Sequence, residues 1–177
     1  TRKSFPQPTG YRASHVLELI HGDLCGPISP TTAGKKRYVF VLIDDHTRYM
    51  WSILLEEKRE AFEKFRIFKR LVEQETGSII GTFRTDRGGE FTSQEFQTFC
   101  DQHGIKRHLT APYSPQQNGV VERRNRTLME MTRSMMKHMS VPSFLWGEAV
   151  RHSTYLIHRV ATRTLRLQTP YECYKKK

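Results

Sequence analysis

Apolar side chains recur along this chain with two different periods. From residue 16 to residue 55 they come in short dense runs divided by turn residues. Val16, Leu17, Leu19 and Ile20 predict a strand over residues 16–23. Tyr38-Val39-Phe40-Val41-Leu42-Ile43, aromatic and β-branched, is the clearest strand, ended by Asp44-Asp45. A third strand is predicted over residues 48–55, antiparallel to the second across the Asp45-His46-Thr47 turn. From residue 58 the period becomes helical. Phe62, Phe65, Phe68 and Val72 recur at three and four residues, the buried stripe of a helix over residues 58–75 that Gly77 ends. Residues 79–85 predict a short strand leading to Asp86. Thr92-Ser93-Gln94-Glu95 has capping-box spacing and opens a helix that buries Phe96, Phe99 and Cys100 and stops at Gly104. A fifth strand follows over residues 105–109. Residues 111–119, with Pro112, Pro115 and Asn118-Gly119, then read as a loop. A long helix is predicted over residues 120–139, with Val121, Leu128, Met131 and Met135 as its apolar line. The last helix covers residues 144–160, behind Pro142-Ser143.

Three strands followed by alternating helix and strand imply an α/β fold. The expected form is a mixed five-stranded sheet, its first three strands antiparallel and its last two parallel to the first, with helices on both faces. Residues 1–13, with two prolines, a glycine and three basic residues, read as a basic linker or arm. Residues 14–177 read as one domain, its last helices and basic tail beginning near residue 143. At 177 residues the chain can bury a core without disulfides. The longest apolar run, residues 38–43, is too short to cross a membrane. The first ten residues are polar and basic, so no secretory leader is expected. The missing initiator Met suggests a piece of a longer polypeptide. Cys25, Cys100 and Cys173 form no Cys-x-x-Cys pair, so neither a disulfide framework nor a structural zinc is expected, and a reducing, intracellular compartment is.

Charge changes the picture more than composition does. Of the net +11, residues 1–103 carry only +1, from 15 basic and 14 acidic side chains. Residues 104–177 carry 14 basic against 4 acidic, or +10. A basic half of that kind suits a polyanion; the plainer alternative is a surface charged for solubility.

Three carboxylates carry the candidate chemistry. Asp23 lies in His21-Gly22-Asp23-Leu24-Cys25-Gly26-Pro27, Asp86 in Thr85-Asp86-Arg87-Gly88-Gly89-Glu90-Phe91, and Glu122 in Val120-Val121-Glu122-Arg123-Arg124-Asn125-Arg126. One belongs to a strand, one follows a strand and one opens a helix. Brought together, they would repel unless a divalent cation lay between them, an arrangement suited to phosphoryl transfer with two metal ions about 4 Å apart. Asp44 and Asp45 read as turn residues rather than further ligands, and Glu90 as orienting the Gly88-Gly89 turn. Glu122, Arg126 and Arg133 share one helix face, where carboxylate and phosphate clamp would sit side by side; an ordinary intrahelical Glu–Arg pair is the alternative. Arg123 and Arg124 point elsewhere, toward solvent or a partner subunit. His152 and His158 read as structural or surface residues, and the methionines from Met129 to Met139 as including core fillers.

These segments, with Thr110-Ala111-Pro112-Tyr113-Ser114-Pro115-Gln116-Gln117-Asn118-Gly119 and Phe144-Leu145-Trp146, resemble the catalytic core of copia-type retrotransposon integrases, within the retroviral integrase superfamily. The resemblance implies a ribonuclease H-like fold and DNA integration by divalent-metal-dependent phosphoryl transfer, in 3′-end processing and strand transfer. It assigns Asp23, Asp86 and Glu122 as catalytic, metal-binding residues, with Mg2+ or Mn2+ as cofactor, two ions in number. It places Tyr113, Gln116 and Asn118 in a loop that meets DNA ends and Arg126 against terminal DNA; Arg133 joins them from its helix face. Tyr113 packing on its own prolines is the alternative at that position. Double-stranded DNA and further copies of the chain are the implied partners, and the nucleus, with a cytoplasmic particle stage, the implied location. Met129 stands where retroviral relatives often carry a second lysine, and the family's amino-terminal zinc module and carboxy-terminal DNA-binding module are not in the sequence. A ribonuclease H-like nuclease acting on RNA–DNA hybrid, or a remnant that only binds DNA or protein, are the rival readings.

Overall fold

The computed structural model describes residues 11–110 and 119–175. Five strands form one sheet in the order β3-β2-β1-β4-β5. They are β1 Leu19–Cys25, β2 Tyr38–Asp44, β3 Met50–Leu55, β4 Thr82–Thr85 and β5 Lys106–Leu109. β2 pairs antiparallel with β1 and β3; β4 pairs parallel with β1 and β5. This is the mixed sheet expected from the element order.

Alternation along β2 divides the core in two. Phe40 and Leu42 face one side, with Phe65, Phe68 and Val72 of helix α1 (Ala61–Thr76) and Phe96 and Cys100 of helix α2 (Gln94–Gln102). Val39, Val41 and Ile43 face the other, with Val121 and Leu128 of helix α3 (Gly119–His138) and Trp146, Val150 and Ile157 of helix α4 (Trp146–Ile157). Each face of the sheet is thus sealed by its own helix pair, which is why β2 reads as an unbroken apolar run. A short helix α5 (Pro170–Lys175), not foreseen from the sequence, brings Tyr174 to stack on Tyr49 at 4.3 Å between ring centroids.

Several local expectations are corrected. β1 starts at Leu19, not residue 16, because Leu17 takes a left-handed conformation (φ 65°) and the Ser14 and His15 N–H groups donate to the Glu18 carboxylate in a turn. α2 is capped by Ser93, whose Oγ accepts the Phe96 N–H at 3.2 Å, one residue later than the capping-box spacing placed it. Phe99 is only half-buried. On α3 the buried stripe is Val121, Asn125, Leu128 and Thr132, whereas Met131 and Met135 are half-buried and Met139 is exposed. Two polar residues hold places that a search for apolar periodicity passes over.

Asp44 and Asp45 are buried turn residues. The Asp44 carboxylate accepts N–H groups from Leu17 and Thr47, each at 2.8 Å, and the Thr47 hydroxyl at 2.7 Å. Asp45 accepts the Ala13 N–H at 2.8 Å and bonds His21 Nε2 at 2.9 Å and Arg48 Nη1 at 3.0 Å. Burial alone would raise the Asp45 carboxyl; His21, Arg48 and the Ala13 N–H outweigh it and hold it at about 2. Burial lowers the His21 imidazole, which favours its neutral form.

Candidate active site

β1 and β4 place the first two carboxylates side by side. His21 pairs with Arg84, an offset of 63 residues, the same offset that separates Asp23 from Asp86 two residues past the end of the paired segment. Close approach of these strands requires glycine at position 22. A Cβ there would meet the Phe83 ring at 2.7 Å and the Thr85 methyl at 3.2 Å. Asp23 lies on the same face of β1 as Cys25, toward α3. Asp86 is exposed just past β4, and its Oδ1 accepts the Gly88 N–H at 3.0 Å, which closes the Gly88-Gly89 turn around it. Glu90 packs its carboxyl against the Gly88 Cα and stands 3.8 Å from Lys58 Nζ, so it braces that turn.

α3 crosses above Asp23. Asn125, in the buried stripe, donates its amide N–H to Asp23 Oδ2, and its own Oδ1 is buried without a partner among the described residues. Glu122, one turn earlier, is exposed on the adjoining flank with Arg126 and Arg133. The Asp23 carboxyl feels both its burial and its acidic neighbours. Burial first, then the charges of Asp86 and Glu122, against the opposing Asn125 amide, push the Asp23 carboxyl up to about 6 from an ordinary 3.8. Burial first, then the Asp23 charge, raises the Cys25 thiol, and the Arg133 charge opposes that rise.

The donor set is all oxygen and anionic, the kind that magnesium or manganese takes. The cluster is drawn together but not closed. Among the described residues no three His, Cys, Asp or Glu side chains stand at metal-holding spacing. The Asp23 oxygen nearest α3 is engaged by Asn125. Of the other candidates, Arg126 is exposed on the Glu122 flank, and Tyr113, Gln116 and Asn118 lie outside the described residues. His152 is exposed. His158 is buried against Met50, its Nε2 2.8 Å from the Met50 carbonyl; burial drives its ring down to about 4 and makes it a neutral structural residue. Asn125 was missed from the sequence. The available signal was an amide three residues after Glu122, on the line of the buried stripe.

Comparison with known proteins follows the same outline. The family profile described as "Integrase core domain" matches residues 13–115, and a second profile of that description matches residues 103–144. The retrovirus-related Pol polyprotein from transposon TNT 1-94 of Nicotiana tabacum is 40% identical over 176 residues, which is 99% of this chain and 13% of that polyprotein. The corresponding polyprotein from transposon RE2 of Arabidopsis thaliana is 37% identical over 90% of this chain and 11% of its own length. The chain therefore spans about an eighth of such relatives. Among solved structures, a chain of the simian T-cell lymphotropic virus intasome in complex with PP2A regulatory subunit B56 gamma superposes with a TM-score of 0.75 at 19% identity, covering 97% of this chain and 59% of that one. The HTLV-2 integrase catalytic core domain in complex with magnesium, in a dimeric form, superposes with a TM-score of 0.68 at 18% identity over 92% of this chain and 99% of that one. These likenesses establish the ribonuclease H-like fold.

Proposed function

The chain belongs to the integrase core domain family, and on that premise we propose that it is a polynucleotidyl transferase that integrates retrotransposon DNA, trimming 3′ ends and joining them to target DNA. One observation carries the proposal: the parallel β1–β4 register brings Asp23 and Asp86 to the same end of the sheet, and α3 crosses β1 there, with Asn125 donating to Asp23 one turn from Glu122. Asp23, Asp86 and Glu122 would hold magnesium or manganese, two ions in the full site. Bound there, the metal would make an attacking oxygen more acidic and neutralise phosphate charge.

The chain's own residues have the remaining tasks. Asn125 fixes the orientation of Asp23 through its amide. The Gly88 N–H holds Asp86 at the mouth of the sheet. Arg126 and Arg133, on the Glu122 flank, hold backbone phosphates beside the carboxylates. Tyr113, Gln116 and Asn118 contact the DNA ends. Self-association and nuclear action belong to the same proposal.

A strand-transfer assay tests it, with labelled duplex DNA, manganese or magnesium, and an EDTA control. Product is expected only with metal. Glu122→Gln, which removes charge and little volume, is expected to abolish product while circular dichroism and the melting midpoint stay at wild-type values or higher. Wild-type rates from that variant would remove Glu122 from the mechanism.

A further inference from the structure

α3 has a second cationic flank, turned away from Glu122. At 3.6 residues per turn, Val120, Arg124 and Thr127 lie on one side of the buried stripe and Glu122, Arg126 and Arg133 on the other. Val120, Arg123, Arg124 and Thr127 line a depression of about 250 Å³, closed by Arg48 from the β2–β3 turn and Thr164 from the tail. Arg12 ties its rim together, donating to the Thr164 carbonyl at 2.7 Å and the His46 carbonyl at 3.2 Å.

Among the described residues no carboxylate lines this depression. Arg48 bonds Asp45, which is shared with the buried His21 ring, and Arg48 Nε is buried without a partner among those residues. Arg124 is half-buried. Burial, then the charge of Arg48, weakens the hold of Arg124 on its proton. For Arg48, burial lowers and Asp45 restores, while Arg12 and Arg123 add repulsion. A second depression, about 710 Å³ across α1 and α2, shows the contrast: there Arg66 meets Glu63 at 2.9 Å and Lys69 meets Glu73 at 2.6 Å.

We propose that the Arg48–Arg123–Arg124 depression is a phosphate site that takes a backbone phosphodiester of duplex DNA, on the flank of α3 opposite the carboxylates. It rests on DNA as the substrate class proposed above. Asp45 answers Arg48 only in part, and Arg123 and Arg124 meet no carboxylate among the described residues, so the three guanidinium groups repel until an anion joins them. Their planar forks fit phosphate oxygens two at a time, and the Thr164 hydroxyl lies at the rim. DNA rather than a small anion is favoured because this half of the chain holds +10 of the net +11.

The test is duplex DNA binding by the 177-residue chain across a salt series, with EDTA present so that neither metal nor strand transfer enters. Losing one phosphate contact lowers the slope of log affinity against log salt by about 0.9. Arg123→Gln/Arg124→Gln is expected to show at least that loss, and Arg123→Lys/Arg124→Lys to keep most of the slope. Arg66→Gln/Arg70→Gln removes the same charge on the other face of the sheet and is expected to leave the slope unchanged. An unchanged slope in the first variant, or an equal loss in the third, would overturn the proposal. So would specific thermal stabilisation by inorganic phosphate together with an unchanged DNA slope, which would assign the depression to a free ion. A chain that binds DNA as expected here but transfers no strands would sink the proposed function and leave this site standing.

Discussion

At the scale of single residues, Asp23 is where charge works against the fold. Its carboxyl stands at about 6 in the folded chain against an ordinary 3.8, so the folded state binds that proton more tightly than the unfolded state does. The contribution of Asp23 to stability is therefore greatest below about pH 4, falls as pH rises toward about 6, and stays lower above that. Asp23→Asn keeps the shape and removes the charge. It is expected to raise the melting midpoint near neutral pH by a few degrees and to show no gain below about pH 4. Added magnesium is expected to stabilise the wild type but not this variant, since a ligand lifts the fold only where it binds. Thermal melts across pH, with and without metal, check both statements; an equal midpoint for the two proteins near pH 7 would deny Asp23 its raised carboxyl. The charged candidates were legible in the sequence because carboxylates and arginines are conspicuous there. Asn125 was not, because its role depends on lying in the buried stripe of α3 directly over β1.

Element by element, the order of strands and helices was readable and their ends were not. Dense β-branched runs and the Phe62-to-Val72 stripe report which side chains are buried, and burial follows the period of the backbone. Ends depend on tertiary bonds. The Asp44 carboxylate takes the Leu17 N–H from 27 residues away in sequence, and β1 begins only after that turn. α5 escaped notice because its burial comes from aromatic stacking on Tyr49 rather than from a repeating apolar face. The β1–β4 pairing carries the most functional weight, since it sets Asp23 beside Asp86. Gly22→Ala tests it. The new methyl would press on the Phe83 ring, which is fully buried and stacked on Phe65 at 4.2 Å and Phe96 at 5.7 Å, so it cannot swing away. A loss of about 1–3 kcal/mol is expected in chemical denaturation. Metal-dependent strand transfer is expected to fall further than stability does, because the same displacement parts the two aspartates. A variant that is destabilised but fully active would show that Asp23 and Asp86 need not be registered by this pairing.

Over the whole molecule, charge is uneven, with residues 104–177 holding +10 of the net +11. The sheet face covered by α1 and α2 matches Arg66 with Glu63 and Lys69 with Glu73. α3 sets cations on both of its flanks, Arg126 and Arg133 beside Glu122 and Arg123 and Arg124 across the buried stripe. On the proposed function each flank neutralises phosphates of its own. Two consequences follow for Arg126→Ala/Arg133→Ala. With EDTA present, its salt slope for duplex DNA is expected to fall by about 1.8, for two lost contacts, so that most of its binding defect appears at low salt and shrinks about tenfold between roughly 50 and 200 mM. Combined with Arg123→Gln/Arg124→Gln, the slope losses are expected to add, because residues that share no partner couple weakly. Binding isotherms for the two double variants and the fourfold variant across one salt series decide the matter. A fourfold variant no worse than either double variant would mean that both flanks compete for one phosphate, and α3 would then present a single DNA contact rather than two.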